Sequence, residues 1–257
     1  MITSTSNPQV KEIMQLQKKS KLRRELGVFV AEGMKMVSEA PAGRIERCWI
    51  SETFSRKHPD FPFPAGVPVQ EAADHVFAAM SDTQTPQGIL AVIRCGETSL
   101  EDLLKAPAPL LMVLENIQDP GNLGTVMRTG EGAGVTGLIM SSDCADIYNP
   151  KVIRSTMGSI YRVPFCHTAD LCGALDLIKK AGITVYAAHL KGSQYYTEAD
   201  YTKPSAFLIG NEGNGLKQET ADRAGTYINI PMEGHVESLN AAVSAAILMY
   251  EAHRQRS

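Results

Sequence analysis

The sequence predicts an α/β protein, in which a smaller α/β domain precedes a larger domain with a parallel sheet. From residue 110 onward, six short apolar runs alternate with segments of helical pattern. Such alternation is typical of a parallel sheet whose faces are covered by helices. Earlier strands and helices also alternate, around a Pro-rich loop at residues 58–68. We therefore predict an N-terminal domain at residues 1–95, a linker at residues 96–109 and the larger domain at residues 110–257.

Helical spacing and short apolar runs define the elements of the N-terminal domain. Val10, Ile13 and Leu16 recur at the spacing of one helix face, which predicts a helix at residues 8–19. The other predicted elements are strands at residues 28–33, 45–51 and 88–94, a helix from the first of these strands to Ala40, and a helix at residues 71–80.

The larger domain ends in an unusually apolar helix. Its predicted strands are residues 110–117, 135–142, 162–168, 183–190, 205–212 and 226–232. The final helix, predicted at residues 238–254, is apolar on nearly every side between Leu239 and Tyr250. Because a helix of this kind is buried on more than one face, we expect it to pack on the sheet and against another element or a second subunit.

The composition is that of a globular protein without membrane or metal signals. The chain has 257 residues, of which 44% are hydrophobic and 21% charged. No apolar run approaches the roughly 20 residues of a membrane span, and the N-terminus does not resemble a signal peptide. Five cysteines form no C-x-x-C pair, which predicts reduced thiols in the cytoplasm. Six histidines lack metal-ligand spacing, so we expect no metal site.

Basic side chains concentrate at the N-terminus of a chain whose net charge is −3. The first 30 residues hold six Lys or Arg against two Glu, a balance of +4, so the remainder carries −7. Segments of this kind contact nucleic-acid phosphates, although a solvated helix face has the same composition. Polar groups at residues 149–165 allow the same two explanations. The candidate RNA-binding residues are Lys18, Lys19, Lys21, Arg23, Arg24, Asn149 and Arg154.

Three strings rich in Gly and Asn lie at the ends of apolar runs in the larger domain. They are DPGNLGTVMRTGEGAGV at residues 119–135, LIGNEGNGL at residues 208–216 and INIPMEGHVESLN at residues 228–240. Turns at the carboxyl ends of parallel strands bind ligands in open α/β sheets. None of the strings is a Walker phosphate loop or a G-x-G-x-x-G motif, which argues against a nucleotide-dependent oxidoreductase.

Each polar residue in these strings also has a structural explanation. Asn122 is placed to cap a helix, Arg128 to form an ion pair, and Ser238 to cap the final helix. Asn240 is harder to explain in this way, because a buried amide needs partners that a ligand can supply. Glu212 lies in a glycine turn, where its carboxylate can orient an arginine through a bidentate pair.

Taken together and in this order, the strings resemble the motifs of the SpoU/TrmH class of RNA ribose methyltransferases, within the SPOUT superfamily. They match Asp-Pro-x-Asn-x-Gly-x-x-x-Arg, then Gly-x-Glu-Gly-x-Gly, then Ile-Pro-Met followed by Ser-Leu-Asn. The resemblance covers residues 110–257. More loosely, the N-terminal segment resembles the ribosomal-protein-like substrate-binding domain of these enzymes. One departure is Gly130, where the family often has Ala; a glycine here suggests an early helix bend.

The resemblance implies a fold, a cofactor and an assembly. The fold is a deep trefoil knot in the parallel-sheet domain, the cofactor is S-adenosylmethionine, and the assembly is a homodimer with its active site near the subunit interface. The implied cofactor-binding residues are Leu190, Gly210, Asn211, Gly213, Ile230, Met232, Ser238 and Leu239.

The same resemblance assigns activation of the ribose 2′-hydroxyl to Arg128. A guanidinium group holds its proton too tightly to be an effective general base. We therefore expect Arg128 to stabilise the developing alkoxide electrostatically. Glu212 is expected to hold this arginine, while Asn122, Ser238 and Asn240 position the ribose or its flanking phosphate.

The implied function is methylation of a ribose 2′-hydroxyl in structured RNA by a cytoplasmic enzyme. Ribosomal RNA of the 23S type is the expected substrate, because the N-terminal domain resembles those of rRNA-directed members; transfer RNA is the alternative. A non-catalytic RNA-binding or assembly factor on the same fold is a second alternative. Asn122, Arg128, Glu212 and Asn240 occur together, which argues against that alternative, because such a factor has no chemical need for all four.

Overall fold

A computed structural model describes residues 1–190, 192, 194–236 and 238–257, and the chain divides into two units. The first unit comprises Met1–Gly96 and Asp146–Tyr161, and the second comprises Glu97–Ala145 and Arg162–Ser257. Up to residue 96, the elements in chain order are α1 (Pro8–Lys18), α2 (Ser20–Leu26), β1 (Val28–Glu32), α3 (Met34–Ser38), β2 (Ile45–Ser51), α4 (Glu52–Lys57), β3 (Val69–Ala72), α5 (Asp74–Met80) and β4 (Ile89–Arg94).

The first unit is built on a mixed four-stranded sheet in the order β1-β4-β2-β3. Strand β4 pairs antiparallel with β1 and β2, and β2 pairs parallel with β3. Helix α1 begins where the Asn7 side chain accepts a hydrogen bond from the Gln9 amide, and its apolar face joins a core that includes Trp49 and Phe77. The predicted strands and first helix of this domain are confirmed within one or two residues.

One predicted boundary in the first unit is wrong. The sequence predicts a helix at residues 71–80, but α5 begins at Asp74 and the preceding residues form β3. Pairing of Val69–Ala72 with β2 gives these residues strand hydrogen bonds, and this tertiary contact outweighs their helical pattern. Helices α2 and α4 are short and lack a predicted counterpart.

The second unit carries a seven-stranded sheet in which every pairing is parallel, in the order β7-β6-β5-β10-β8-β11-β9. All six predicted strands are present, and β9 is an addition of two residues, too short to give a sequence pattern. From residue 97 onward the elements are α6 (Leu100–Leu104), β5 (Leu110–Leu114), α7 (Pro120–Ala133), β6 (Gly137–Ser141), α8 (Pro150–Thr156), β7 (Phe165–Thr168), α9 (Leu171–Lys180), β8 (Thr184–Ala188), β9 (Gln194–Tyr195), β10 (Ser205–Ile209), α10 (Gln218–Ala224), β11 (Gly225–Asn229) and α11 (Ala241–Arg256).

Helix α8 belongs by its contacts to the first unit, although the sequence prediction places it in the larger domain. The ring of Tyr148 stacks on Phe29 with centroids 4.8 Å apart. The Tyr148 hydroxyl donates to the Gly96 carbonyl at 3.0 Å. The guanidinium of Arg154 pairs with Asp82 at 2.6 Å. Aromatic packing and ion pairs therefore hold this segment to elements far away in sequence, which local patterns do not reveal.

Helix α11 packs against α7 and β10 but is not buried all round. The prediction that this helix packs on the sheet and against another element is confirmed, and Val243, 48% exposed, and Tyr250, 51% exposed, lie outside these contacts. Helix α7 continues through Gly130 to Ala133. At Gly130 a Cβ atom would lie 3.3 Å from the Val135 side chain and 3.6 Å from Met249, so the glycine serves close packing rather than an early bend.

The prediction of a parallel-sheet α/β domain beside a smaller α/β domain is confirmed. The trefoil knot stays a prediction. In the described part of the chain, no helix has the length and apolar character needed to cross a membrane.

Candidate cofactor and active site

A cavity of about 350 Å³ opens at the carboxyl ends of three adjacent parallel strands of the second unit, β10, β8 and β11. Its walls are the three segments that continue these strands, together with the start of α11. The carboxyl ends of parallel strands are the usual ligand-binding edge of an open α/β sheet. Both the volume and the mixture of apolar and polar lining suit a ligand of nucleoside size.

The structure gathers all eight residues expected to bind the cofactor around this one cavity. They come from segments that are distant in sequence, and they are Leu190, Gly210, Asn211, Gly213, Ile230, Met232, Ser238 and Leu239.

The turn after β10 is fixed by its own backbone hydrogen bonds and by the side chain of Asn211. The Asn211 and Gly215 backbones exchange hydrogen bonds of 3.0 and 2.9 Å. The Asn211 side chain accepts from the amides of Gly213 and Asn214, and donates to the Asn116 carbonyl at 2.8 Å. These contacts turn the loop back on itself and tie it to the end of β5.

Gly210 stands where this turn crosses its own chain. A Cβ atom built on it would lie 2.3 Å from the Gly215 carbonyl carbon and 2.4 Å from the Leu216 nitrogen. Because these neighbours are backbone atoms, no side-chain rotation can make room. The position therefore requires glycine for close backbone approach, and its absent side chain leaves bare backbone along one cavity wall.

A chain of side-chain hydrogen bonds joins the three sequence strings. The Asn240 amide donates to Asn122 Oδ1 at 3.0 Å, and the Asn122 amide donates to Glu212 Oε1 at 2.9 Å. The Glu212 carboxylate also accepts from the backbone amides of Gln118 and Asp119, each at 3.2 Å. The start of α7, the glycine turn and the start of α11 are thereby fixed to one another.

These contacts correct three local predictions. Asp119, not Asn122, caps α7, because its carboxylate accepts from the Asn122 backbone amide at 2.8 Å. Asn240, not Ser238, caps α11, because its Oδ1 accepts from the amides of Ala242 and Val243. The final helix therefore begins at Ala241, and Ser238 is left on the cavity wall.

Arg128 lies on α7 with its side chain exposed. The sequence predicts that Glu212 holds this arginine, but the structure does not show that contact. Within residues 1–190, 192, 194–236 and 238–257, no hydrogen bond or ion pair to its guanidinium is found. The Glu212 carboxylate is instead taken up by Asn122 and two backbone amides. An arginine on this helix without a protein partner keeps its full hydrogen-bonding capacity for a substrate.

Glu115 is a residue of this region that sequence reasoning missed. It is only 3% exposed, and its carboxylate accepts from the Thr220 hydroxyl at 2.6 Å and the Lys217 amide at 2.8 Å. Through these bonds the end of β5 anchors the start of α10, which follows the glycine turn. The available signal was a carboxylate at the end of an otherwise apolar strand.

The candidate RNA-binding residues separate into two groups. Lys18, Lys19 and Arg24 are exposed, and Lys21 is exposed with a loose contact of 3.8 Å to Glu25. The others have structural roles: Asn149 caps α8, and Arg154 pairs with Asp82.

The prediction for Arg23 is wrong. This side chain is 3% exposed; its Nε donates to Asp146 Oδ2 at 3.0 Å, and its Nη1 donates to the Leu16 and Gln17 carbonyls. A buried cation is stable only when it is paired and hydrogen-bonded, and all of these groups serve that need. Arg23 therefore holds the first unit together rather than contacting phosphate.

Glu212 gives the site a defined pH dependence. Burial alone raises the pKa of Glu212, but hydrogen bonds from the Asn122 side chain and from backbone amides outweigh it and bring the pKa below its usual 4.5. The ionised carboxylate therefore contributes stability that is fully present above pH 4.5 and is lost as the pH falls through the lower value of the folded state.

We expect this effect to appear in thermal unfolding of the wild type and Glu212→Gln. The difference in melting temperature should stay constant from about pH 7 down to the usual pKa of a glutamate, and shrink as the pH falls below it. A difference independent of pH would show that the ionised carboxylate is not what stabilises the site.

Comparison with known proteins identifies both units. The SpoU rRNA Methylase family model matches residues 109–250, more than half of the chain, and the MRM3-like substrate binding domain matches residues 7–91. A relative from Bacillus subtilis, 23S rRNA (guanosine(2553)-2'-O)-methyltransferase RlmP, is 32% identical over 97% of this chain and 97% of its own length.

Solved structures agree over nearly the whole chain. The AdoMet-bound rRNA methyltransferase of Sinorhizobium meliloti is 31% identical, with a TM-score of 0.87 over 98% of this chain and 97% of that one. The SpoU methyltransferase AviRb of Streptomyces viridochromogenes, in complex with AdoMet, is 25% identical, with a TM-score of 0.88 over 97% of this chain and 99% of that one. The chain belongs to the SpoU rRNA methylase family.

Proposed function

We propose that this protein transfers a methyl group from S-adenosylmethionine to a ribose 2′-hydroxyl of ribosomal RNA. The observation that carries the proposal is the hydrogen-bonded chain Asn240–Asn122–Glu212 beside the cavity. These bonds hold three segments in place around a cavity large enough for the cofactor and beside the polar side chains. The chain also belongs to a family of RNA methyltransferases.

The residues of the cavity suit S-adenosylmethionine. Gly210 offers bare backbone to an adenosine, because its crowding against Gly215 excludes any side chain. Leu190, Ile230 and Leu239 supply apolar contact for the base and ribose, while Asn211 fixes the turn. When bound, this cofactor supplies an electrophilic methyl carbon on a sulfonium.

The chain's own contribution is positioning and electrostatics. Arg128 would stabilise negative charge on the ribose oxygen as its proton passes to solvent water, because a guanidinium is a fixed cation rather than a base. Asn122 and Asn240 would orient the ribose or its flanking phosphate with the hydrogen-bonding capacity that their mutual contact leaves over. Glu212 acts through Asn122 and through the turn before α7, so it is a positioning residue.

The substrate pool can be tested directly. Purified wild-type protein would be incubated with labelled S-adenosylmethionine and with rRNA or tRNA lacking native modification. We expect label in the 23S-type rRNA alone. Label in tRNA would move the substrate to the alternative, and cofactor binding without label in either pool would favour a substrate such as an assembly intermediate. Failure to bind the cofactor would favour a non-catalytic RNA-binding factor.

The exposed basic residues near the N-terminus are proposed to contact RNA phosphates. Reversing Lys18, Lys19 and Lys21 to Glu should weaken rRNA binding and flatten its salt dependence, by up to about 0.7 to 0.9 in slope for each phosphate that is no longer neutralised. Filter binding at several salt concentrations would measure both quantities.

A matched control carries the same change of charge at exposed lysines of the second unit, namely Lys105, Lys180 and Lys203 reversed to Glu. If this control weakened binding as much as the N-terminal variant, the effect would be one of net charge. If neither variant changed binding, the basic segment would be only a solvated helix face.

We also infer a homodimer in the cytoplasm, with the trefoil knot of the family. The exposed apolar side chains of Val243 and Tyr250 on α11 support self-association through this helix. Light scattering should give the mass of two chains for the wild type and of one chain for Val243→Glu. A monomeric wild type would contradict the inference.

A further inference from the structure

A second cavity, of about 560 Å³, is lined only by residues of the first unit. It lies among the end of β2, helices α4 and α5, and the loop before β4, with Phe54 and Phe77 beneath it. Its volume is within the roughly 300 to 1,000 Å³ of small-molecule sites. It shares no lining residue with the cofactor cavity, and none of the exposed basic residues near the N-terminus lines it.

One cavity wall, formed by Pro86, Gln87 and Gly88, is the end of a preformed loop at residues 81–88. The Glu32 carboxylate accepts hydrogen bonds from the Ser81 hydroxyl at 2.5 Å, the Thr83 hydroxyl at 2.8 Å and the Asp82 amide at 3.1 Å. At the other end of the loop, the Gln87 side-chain oxygen accepts from the Met34 amide at 2.8 Å. The loop is thus tied at both ends before any ligand arrives.

Gly88 closes this wall against the cavity floor. Its φ is +85°, and a Cβ atom would lie 2.7 Å from Ser51 Oγ and 2.8 Å from the Phe54 Cβ. Only glycine combines this backbone conformation with such close contact. The shape of the cavity is therefore set by residues that cannot easily move.

The rim carries the Asp74 carboxylate together with the side chains of Lys57, His58 and Gln87. The Asp74 carboxylate accepts from the Thr53 amide at 2.9 Å and the Thr53 hydroxyl at 2.6 Å, and these bonds lower its pKa. The Ser51 hydroxyl makes a weaker contribution, and the carboxylate keeps further accepting capacity beyond these contacts. Among the residues that the structure describes, no side-chain hydrogen bond to Lys57 or His58 is found, and the His58 ring lies 4.7 Å from that of Phe54.

This chemistry favours a planar heterocycle over other ligands. An ionised carboxylate repels phosphate, and one carboxylate is too few for a divalent cation. Two adjacent N–H groups on one edge suit the carboxylate, a carbonyl beside them suits Lys57 or the Gln87 amide, and an aromatic face suits His58. Guanine is the base whose pairing edge has this order of groups.

We propose that this cavity receives an unpaired guanine of the RNA substrate, with Asp74 accepting from its pairing edge and His58 stacking on its face. The proposal rests on the proposed function, since it deepens the account of how the substrate-binding domain selects RNA. Sequence-specific RNA recognition commonly uses unstacked bases held in this way.

The test is the sign of the change in RNA affinity on Asp74→Asn, measured by filter binding of full-length protein to rRNA lacking native modification. One of the two acceptor oxygens becomes an NH2 donor and the negative charge is lost, so a guanine edge loses its paired acceptor; binding should weaken about tenfold, with an unchanged slope against salt. A phosphate in the cavity would bind more tightly once the negative charge is removed. Either tighter or unchanged binding would overturn the proposal.

A second variant covers the case in which Asp74→Asn fails to fold. His58→Ala removes the stacking face and should weaken binding about fivefold or more. The matched control is His75→Ala, an exposed histidine next to Asp74 that does not line the cavity. Equal effects of the two histidine variants would also overturn the proposal.

Two further readouts separate this proposal from the proposed function. Cofactor affinity should be unchanged in every variant, and wild-type protein should methylate the same RNA. If the wild type fails to methylate RNA, the proposed function is wrong. If the wild type methylates RNA and Asp74→Asn binds that RNA as tightly as the wild type, only the proposal of a guanine site is wrong.

Discussion

Arg128→Ala should reduce methyl transfer by about 10² to 10³-fold, the typical loss when one preorganised group that stabilises transition-state charge is removed. The side chain is exposed and has no partner in the described part of the chain, so its removal leaves no buried group unpaired. The cofactor cavity is lined by other residues, and cofactor affinity should therefore stay within a few-fold.

Single-turnover methyl transfer and calorimetric cofactor binding would measure the two quantities. Arg223→Ala is a suitable control, because it removes an exposed arginine of the same unit that pairs with the exposed Asp176. Unchanged turnover in Arg128→Ala would remove this residue from the mechanism. Equal loss in the Arg223 variant would point to a general effect of charge.

Gly210→Ala should greatly weaken cofactor binding. The added Cβ would meet the Gly215 backbone at 2.3 Å, so the turn must move. Overpacking of this kind costs about 1 to 3 kcal/mol, which corresponds to roughly tenfold to hundredfold in affinity if the cost falls on the bound conformation. Isothermal titration with S-adenosylmethionine would measure the loss.

Gly234 of the same unit provides a control that separates crowding from loss of glycine. A Cβ atom built on it would meet no atom within 4 Å, and this residue does not line the cavity. Gly234→Ala should therefore bind cofactor within a few-fold of the wild type. If both variants bound equally well, the crossing of the chain at Gly210 would not shape the cofactor site.

The sheet of the second unit could be predicted because its strands are buried on both faces and read as apolar runs. Leu110–Leu114 and Ser205–Ile209 are buried at every position, and helices with polar caps separate such runs. The family and the cofactor were predictable for a different reason. Each of the three strings is weak alone, but their order resembles one enzyme class, and the family match confirms it.

Partnerships between distant residues could not be predicted. Glu212 and Asn122 are 90 positions apart, and only the fold decides that the carboxylate meets an amide rather than Arg128. Capping of α7, by contrast, is local: Asp119 directly precedes Pro120 and accepts from the Asn122 backbone amide three residues later, which leaves the Asn122 side chain for Glu212.

Burial of charge was the other limit. Arg23 lies in a run of basic residues, and its residue type does not distinguish it from its exposed neighbours. Its burial is set by Asp146, 123 positions away, in a segment that belongs by contacts to the first unit. Charge counting along a sequence therefore overestimates the surface available to RNA.

The identity of the methylated nucleoside is the most direct test of methyl transfer to a ribose 2′-hydroxyl. Wild-type protein would label unmodified rRNA from S-adenosylmethionine, and the RNA would be digested to nucleosides and analysed by mass spectrometry. We expect a single nucleoside methylated on its ribose 2′-oxygen, formed about 10² to 10³-fold more slowly with Arg128→Ala. Label on a base would keep the fold and the cofactor and would contradict the proposed chemistry.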